Sequence, residues 1–216
     1  GVVGPVRTGK STFIKRFMDV AVLPYMEDAA QKTRAQDELP QSAGGRTITT
    51  TEPKFIPQEA VELKLAGEVT IRVRLVDCVG FMVEGAAGHL EDGAERLVKT
   101  PWYDHEIPFT QAAELGTRKV ITDHSTIGVV VTTDGSFSDL PQETYLDAEN
   151  QAISELKKLH KPFLVLVNSS HPSSRTAREA AERIEKQHSV TAMPVNCAQL
   201  SEEDIRQIME QILYEF

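Results

Sequence analysis

Eight residues near the start, Gly4-Pro5-Val6-Arg7-Thr8-Gly9-Lys10-Ser11, constrain the fold more than any other part of the chain. They match the pattern G-x-x-x-x-G-K-[ST] in full. Its glycines let the backbone curl so that successive N–H groups face a single anion. The match sits between apolar Val2-Val3 and a stretch that carries Phe13, Ile14, Phe17 and Met18 at helical spacing. A strand, a curled loop and a helix in that order aim the helix N-terminus and its dipole at the same anion. Lys10 is then placed to reach the β and γ oxygens of a phosphate chain, and the Ser11 hydroxyl to ligate Mg²⁺. Gly4, Arg7, Thr8, Gly9, Lys10, Ser11 and Thr12 form the expected cradle.

The rest of the chain shows how that cradle is framed. Pro24 ends the first helix, and residues 26–38 predict a second one with little apolar surface, exposed and mobile. PQSAGG at 40–45 has the composition of a flexible loop. Val61, Leu63 and Leu65 alternate, as do Val69, Ile71, Val73 and Leu75 beyond Gly67, which predicts a β-hairpin ending at Asp77. From 78 to 126 the chain is irregular, with helical pieces expected near 89–99 and after Pro108. So long a stretch between strands is usually functional. Apolar runs at 127–133 and 163–167 predict strands buried on both faces, and 190–195 a shorter one. Helices are expected at about 142–160, 176–187 and 202–214, the last capped by Ser201 with Asp204. The alternation predicts an α/β fold of three layers, a mostly parallel sheet with helices on both faces and one antiparallel strand.

Length and charge bound the rest. The 216 residues suit one domain spanning 1–216, and the opening on Gly1-Val2-Val3 without a methionine is that of an excised piece whose first strand is truncated. A net charge of -9 disfavours nucleic-acid binding, which needs a basic face. No apolar run approaches the ~20 residues needed to span a bilayer, and there is no signal peptide. Cys78 and Cys197 have neither metal-ligand spacing nor a disulfide framework, which fits a reducing cytoplasm.

Two further patterns bear on phosphate chemistry. Asp77-Cys78-Val79-Gly80 closes the hairpin, where a carboxylate can hold the Mg²⁺ shell and a glycine can bring its N–H to a γ-phosphate. Alone, D-x-x-G is more often a turn. Thr47-Ile48-Thr49-Thr50-Thr51 lies between the first helix and the hairpin. A hydroxyl from Thr49, Thr50 or Thr51 can complete the metal's coordination and sense the γ-phosphate; the plainer reading is a solvent-facing run entering a strand.

In this order, the loop, the threonines, the hairpin and D-x-x-G resemble the Ras-like, translation-factor class of P-loop NTPases. That resemblance implies six strands, one antiparallel, with nucleotide at the C-terminal ends of the parallel strands. The chain departs from it twice. Where those GTPases carry N-K-x-D, Asn168-Ser169-Ser170-His171 keeps the asparagine and lacks both the lysine and the guanine-reading aspartate. A lost bidentate charged contact should erase guanine selectivity, which makes ATP the expected nucleotide. Asn196-Cys197-Ala198 resembles the S-A-K element without its lysine, so Asn168 and Cys197 are the base-side candidates with Gly80 on the phosphate side. Phe81 stands where many relatives have a water-orienting glutamine. Water positioning then falls to the threonine loop or to a second protomer, and slow turnover accelerated by assembly is the expectation.

GRTITTTEPKFIP (45–57), KTPWYDHEIPF (99–109) and DHSTIGVVVTTDGS (123–136) are more closely similar to the stage IV sporulation protein A family of endospore-forming bacteria. That resemblance implies a coat-morphogenetic ATPase that hydrolyses ATP with Mg²⁺ to polymerise into a shell around the forespore. It implies catalytic Lys10, Asp77, Thr50 and Thr51 and metal-associated Ser11, Thr50 and Asp77. It also implies self-association, contacts to other spore coat and forespore-membrane proteins through regions beyond Phe216, and a place in the mother-cell cytoplasm at the outer forespore surface. A GTPase switch and a nucleotide-binding module without turnover are the alternatives. Other residues have bland readings. Trp102, Tyr103 and His105 pack under a loop or meet a base or protomer. Asp123-His124 is a turn or a catalytic pair, and His171 a loop residue or a base contact. Arg72 and Arg74 solvate an edge strand.

Overall fold

A computed structural model describes residues 1–40, 51–64, 70–86, 89–91 and 93–215. Most of the 40–45 loop, Thr47 to Thr50 and the hairpin turn at 65–69 lie outside the described residues. β1 (Val2–Val3) runs through the curled loop into α1 (Lys10–Phe17), which continues as a π-helical turn over Met18–Val22. The Asp28 carboxylate caps α2 (Ala29–Asp37), accepting from the N–H groups of Ala30 and Gln31 at 2.8 and 3.1 Å. β2 (Lys54–Lys64) and β3 (Thr70–Asp77) form the antiparallel hairpin, Lys54 opposite Asp77 and Val61 opposite Val73.

Between Asp77 and the next long strand lie β4 (Leu90–Glu91), β5 (Ala94–Glu95), β6 (Leu97–Thr100), β7 (Tyr103–Pro108) and α3 (Phe109–Lys119). The helix expected near 89–99 is therefore not there: β4 pairs with β5 and β6 with β7, both antiparallel. Its apolar spacing has no core to face, since Leu90 and Leu97 are each 56% exposed. Without that burial a short helix is unstable, and the backbone pairs as hairpins instead. The helix after Pro108 is α3, as expected. A π-helical turn at Val120–His124 ends it. There the Lys161 ammonium donates to the carbonyls of Ile121, Thr122 and Ser125 at 2.6, 2.9 and 2.8 Å.

The remaining elements alternate: β8 (Gly128–Thr133), α4 (Leu146–Lys158), β9 (Phe163–Asn168), α5 (Arg175–His188), β10 (Ala192–Val195) and α6 (Glu202–Tyr214). Ser201 and Asp204 make the reciprocal capping box of α6. Strands β1, β8, β9 and β10 pair in parallel in that order. Alternate residues go to opposite faces. Val129, Val131, Leu164 and Leu166 join Phe13, Ile14, Ile205 and Ile208 of α1 and α6. Val130, Val165 and Val167 join Ile153, Leu156, Ala180 and Ile184 of α4 and α5. Both faces are covered, which explains the apolar runs Val129–Val131 of β8 and Phe163–Val167 of β9 and why the fold has three layers.

The six expected strands appear as this four-stranded ladder and the β2–β3 hairpin seated beside β1. β1 has only two residues, so its contact with the hairpin falls mostly beyond the strand ends. Pro5 bridges Phe81 in parallel, Val6 N–H donates to the Phe81 carbonyl at 2.8 Å, and Phe81 N–H to the Gly4 carbonyl at 3.0 Å. The Cys78 thiol donates to the Val2 carbonyl at 3.4 Å. Leu156 is fully buried under β8 and β9. Leu156→Ala should destabilise the fold by about 2–5 kcal/mol, read as a lower urea midpoint; an unchanged midpoint would mean that this face of the sheet is not packed as described.

Candidate functional site

The curl of the 4–11 loop is visible in its backbone: Gly4, Arg7 and Gly9 have φ of 129, 63 and 98°. The sheet holds it from behind. Thr8 is fully buried, and its hydroxyl lies 2.6 Å from the Val131 carbonyl and 3.0 Å from that of Pro5. The Thr8 carbonyl accepts from the Asn168 side-chain amide at 2.9 Å, and the Asn168 Oδ1 accepts from Cys197 N–H at 3.0 Å. With its inward polar groups bonded to β8 and β9, the loop turns into α1 directly at Lys10. The first turn of a helix carries N–H groups that have no intrahelical acceptor.

Lys10 is 4% exposed, and its ammonium donates to the Pro5 carbonyl at 2.6 Å. Burial lowers its pKa, against the opposing fields of Cys78 and Asp77. The Ser11 hydroxyl donates to Asp77 Oδ2 at 2.6 Å, and Cys78 N–H to Asp77 Oδ1 at 2.9 Å. Burial pushes the Asp77 pKa up, while Ser11, Lys10, Cys78 and Lys54 pull it down. A hydroxyl and a carboxylate side by side are hard oxygen donors, which suits Mg²⁺ with the remainder of its shell from phosphate and water.

Gly80 closes the opposite wall at φ 102°. A Cβ there would collide with the Gly4 carbonyl and stand 2.6 Å from the Lys10 ammonium. The absence of a side chain at Gly80 is thus what lets the Lys10 ammonium and the Gly4 carbonyl approach this wall. The Gly80 N–H, expected to face a γ-phosphate, donates to the Thr117 hydroxyl of α3 at 3.0 Å. Thr117 lies in the long 78–126 segment, and no alternation of apolar and polar residues marks it. Phe81 is 1% exposed within the core beside Val6 and Val76, so it serves packing where a glutamine would serve water.

Other candidates fall around this centre. Thr12 is partly buried on α1, and Arg7 projects at the loop's exposed apex. Thr51 is buried against α3; Thr50 lies outside the described residues. Asn168 and Cys197 stand together behind the loop, with the Cys197 thiol enclosed and its pKa pushed up to about 12 by burial. On the base side, His171 N–H donates to the Ser169 hydroxyl at 3.0 Å, and Ser170 N–H to the Ser136 hydroxyl at 2.8 Å. Trp102 packs on α3, with the Lys119 ammonium 5.9 Å from its ring centroid, while Tyr103 and His105 are exposed. His124 meets the Phe55 ring edge-on at 5.1 Å, and Asp123-His124 forms the end of the π-helical turn over Val120–His124.

The raised Asp77 pKa has a consequence for stability. Folding disfavours the carboxylate relative to the acid, so the penalty is present above the folded-state pKa and vanishes as pH falls through it. Asp77→Asn keeps an acceptor for Cys78 and a donor for Ser11 while removing the charge. The parent should therefore gain melting temperature relative to Asp77→Asn as pH falls into the acid range. A parent that loses ground to the variant as pH falls would contradict this.

The model of the stage IV sporulation protein A ATPase domain matches residues 1–216. Stage IV sporulation protein A of Clostridioides difficile (strain 630) is 50% identical over 216 residues, which is 100% of this chain and 44% of that protein. The proteins of the same name from Bacillus anthracis and Bacillus subtilis (strain 168) are each 46% identical over the same span, again 44% of their length. The chain therefore spans less than half the length of these relatives. With its phosphate loop, its Ser11–Asp77 pair and a match over every residue, the chain belongs to the stage IV sporulation protein A family and is an ATPase domain of it.

Proposed function

We propose that residues 1–216 act as one domain that binds and hydrolyses ATP with Mg²⁺, and that this cycle drives self-assembly of a scaffold at the base of the bacterial spore coat. One observation carries the choice of nucleotide. In the base-side loop Asn168 is committed to Thr8 and Cys197, and Ser169-Ser170-His171 offers no carboxylate to the N1 and N2 donors of guanine. The sheet-held loop of Gly4 to Thr12, with Arg7 on its exposed side, binds and orients the phosphates, and Lys10 neutralises oxygens of the β- and γ-phosphates, between which the P–O bond breaks. Ser11, Asp77 and Thr50 would hold Mg²⁺, which when bound supplies further charge neutralisation on those oxygens. Thr50 and Thr51 sense the terminal phosphate from one side and Gly80 from the other.

Phe81 is buried, so the attacking water is oriented either by the threonine loop or by a second copy of the chain. The second possibility links turnover to polymerisation. The partners are further copies of the protein and other coat and forespore-membrane proteins, engaged mainly through parts of the protein outside these residues. The place of action is the mother-cell cytoplasm at the outer forespore surface. Among the described residues no helix is long and apolar enough to cross a membrane.

Phosphate release by the purified chain should favour ATP over GTP at least about tenfold, and Lys10→Ala should lower it by about 10²-fold or more. A preference for GTP would sink the ATPase reading in favour of a switch, and tight binding without turnover would favour a structural module. Turnover per protomer should also rise from dilute monomer to polymer; a flat profile would remove the link to assembly.

A further inference from the structure

Two separate segments of the phosphate site meet α3 at adjacent residues. The Gly80 N–H donates to Thr117 Oγ1 at 3.0 Å, and that hydroxyl donates its own proton to the Ala113 carbonyl at 2.8 Å. Towards Gly80 it is therefore purely an acceptor. Thr117 is fully buried, so water does not substitute for either bond. One residue earlier, the absence of a side chain at Gly116 leaves room for the Thr51 carbonyl, with the Trp102 ring alongside. Gly80 itself stands next to the Lys10 ammonium, 2.6 Å from where its Cβ would be.

An amide N–H makes one strong hydrogen bond, and a charged phosphate oxygen is a better acceptor than a hydroxyl. We propose that Thr117 is a positioning residue that competes with the terminal phosphate of a bound nucleoside triphosphate for the Gly80 amide. A triphosphate takes that amide and frees Thr117; a diphosphate leaves the Gly80–Thr117 bond in place. α3 is thereby held in one setting by diphosphate and released by triphosphate, and it carries the difference to Trp102 and the β6–β7 hairpin packed on it. The proposal rests on the ATPase reading above and adds to it the element that answers the γ-phosphate.

The test uses Thr117→Val and Thr117→Ser in the full chain, with affinities for ADP and a non-hydrolysable ATP analogue measured by calorimetry. In Thr117→Val the Gly80 amide has no acceptor until the terminal phosphate arrives. It should bind the ATP analogue about 5–10-fold more tightly than the parent, with ADP affinity unchanged, and Thr117→Ser should behave as the parent. Equal changes for both nucleotides, no change for either, or a serine variant that behaves as the valine one, would overturn the proposal. Hydrogen exchange on the parent gives a second measurement if the valine variant does not fold. Amides of residues 109–119 should exchange faster with the ATP analogue than with ADP, and equal exchange would overturn the proposal. A parent that binds neither nucleotide would instead strike the ATPase reading itself.

Discussion

Thr8 is the point from which the 4–11 loop is hung. Its hydroxyl reaches the Val131 carbonyl of β8, and its carbonyl receives the amide of Asn168 at the end of β9. A loop curled to offer N–H groups outwards turns its other polar atoms inwards, where an unpaired one would cost about 1–3 kcal/mol. Two neighbouring strands supply the partners. Because these strands are parallel and in register, Thr133 beside Asn168, their ends stand at one level and fix the loop at a defined height. Lys10, Ser11 and the start of α1 inherit their positions from that attachment.

Around it, the site is closed by charge that water does not easily reach. Lys10 and Asp77 are both buried, and the first is bonded to a carbonyl, the second to a hydroxyl and an amide. Each is individually disfavoured by burial and supported by the other. Such a pair contributes little to stability, and its presence in the fold reflects what it can hold. The hairpin brings Asp77 to this position because Phe81, just beyond, is bonded through its backbone to Gly4 and Val6 and buried through its ring.

Much of this was legible in the sequence because its causes are local. The phosphate loop announces itself in eight residues, and the apolar runs of β8 and β9 record burial on two faces. The Ser201–Asp204 cap marks the start of α6 to the residue. The segment from 78 to 126 was not legible in the same way. Leu90, Ala94, Leu97 and Val98 have a helical spacing, but spacing specifies a helix only when a core receives the stripe, and here Leu90 and Leu97 face solvent. The role of Thr117 was hidden for a related reason. A threonine inside a helix usually bonds only its own preceding turn, as this one does with Ala113, and its second bond depends on a residue 37 positions away.

Asn168 bears on how such a protein can change over evolutionary time. In this chain it braces the loop from behind and fastens the segment around Cys197 to it, while beyond the buried Ser169 the backbone of Ser170 is tied to Ser136 and that of His171 to Ser169. Bracing therefore resides in Asn168 itself, and among the described residues Ser170 and His171 make no bond to the loop it braces. Substitutions at those two positions can accumulate while the geometry of the 4–11 loop stays fixed.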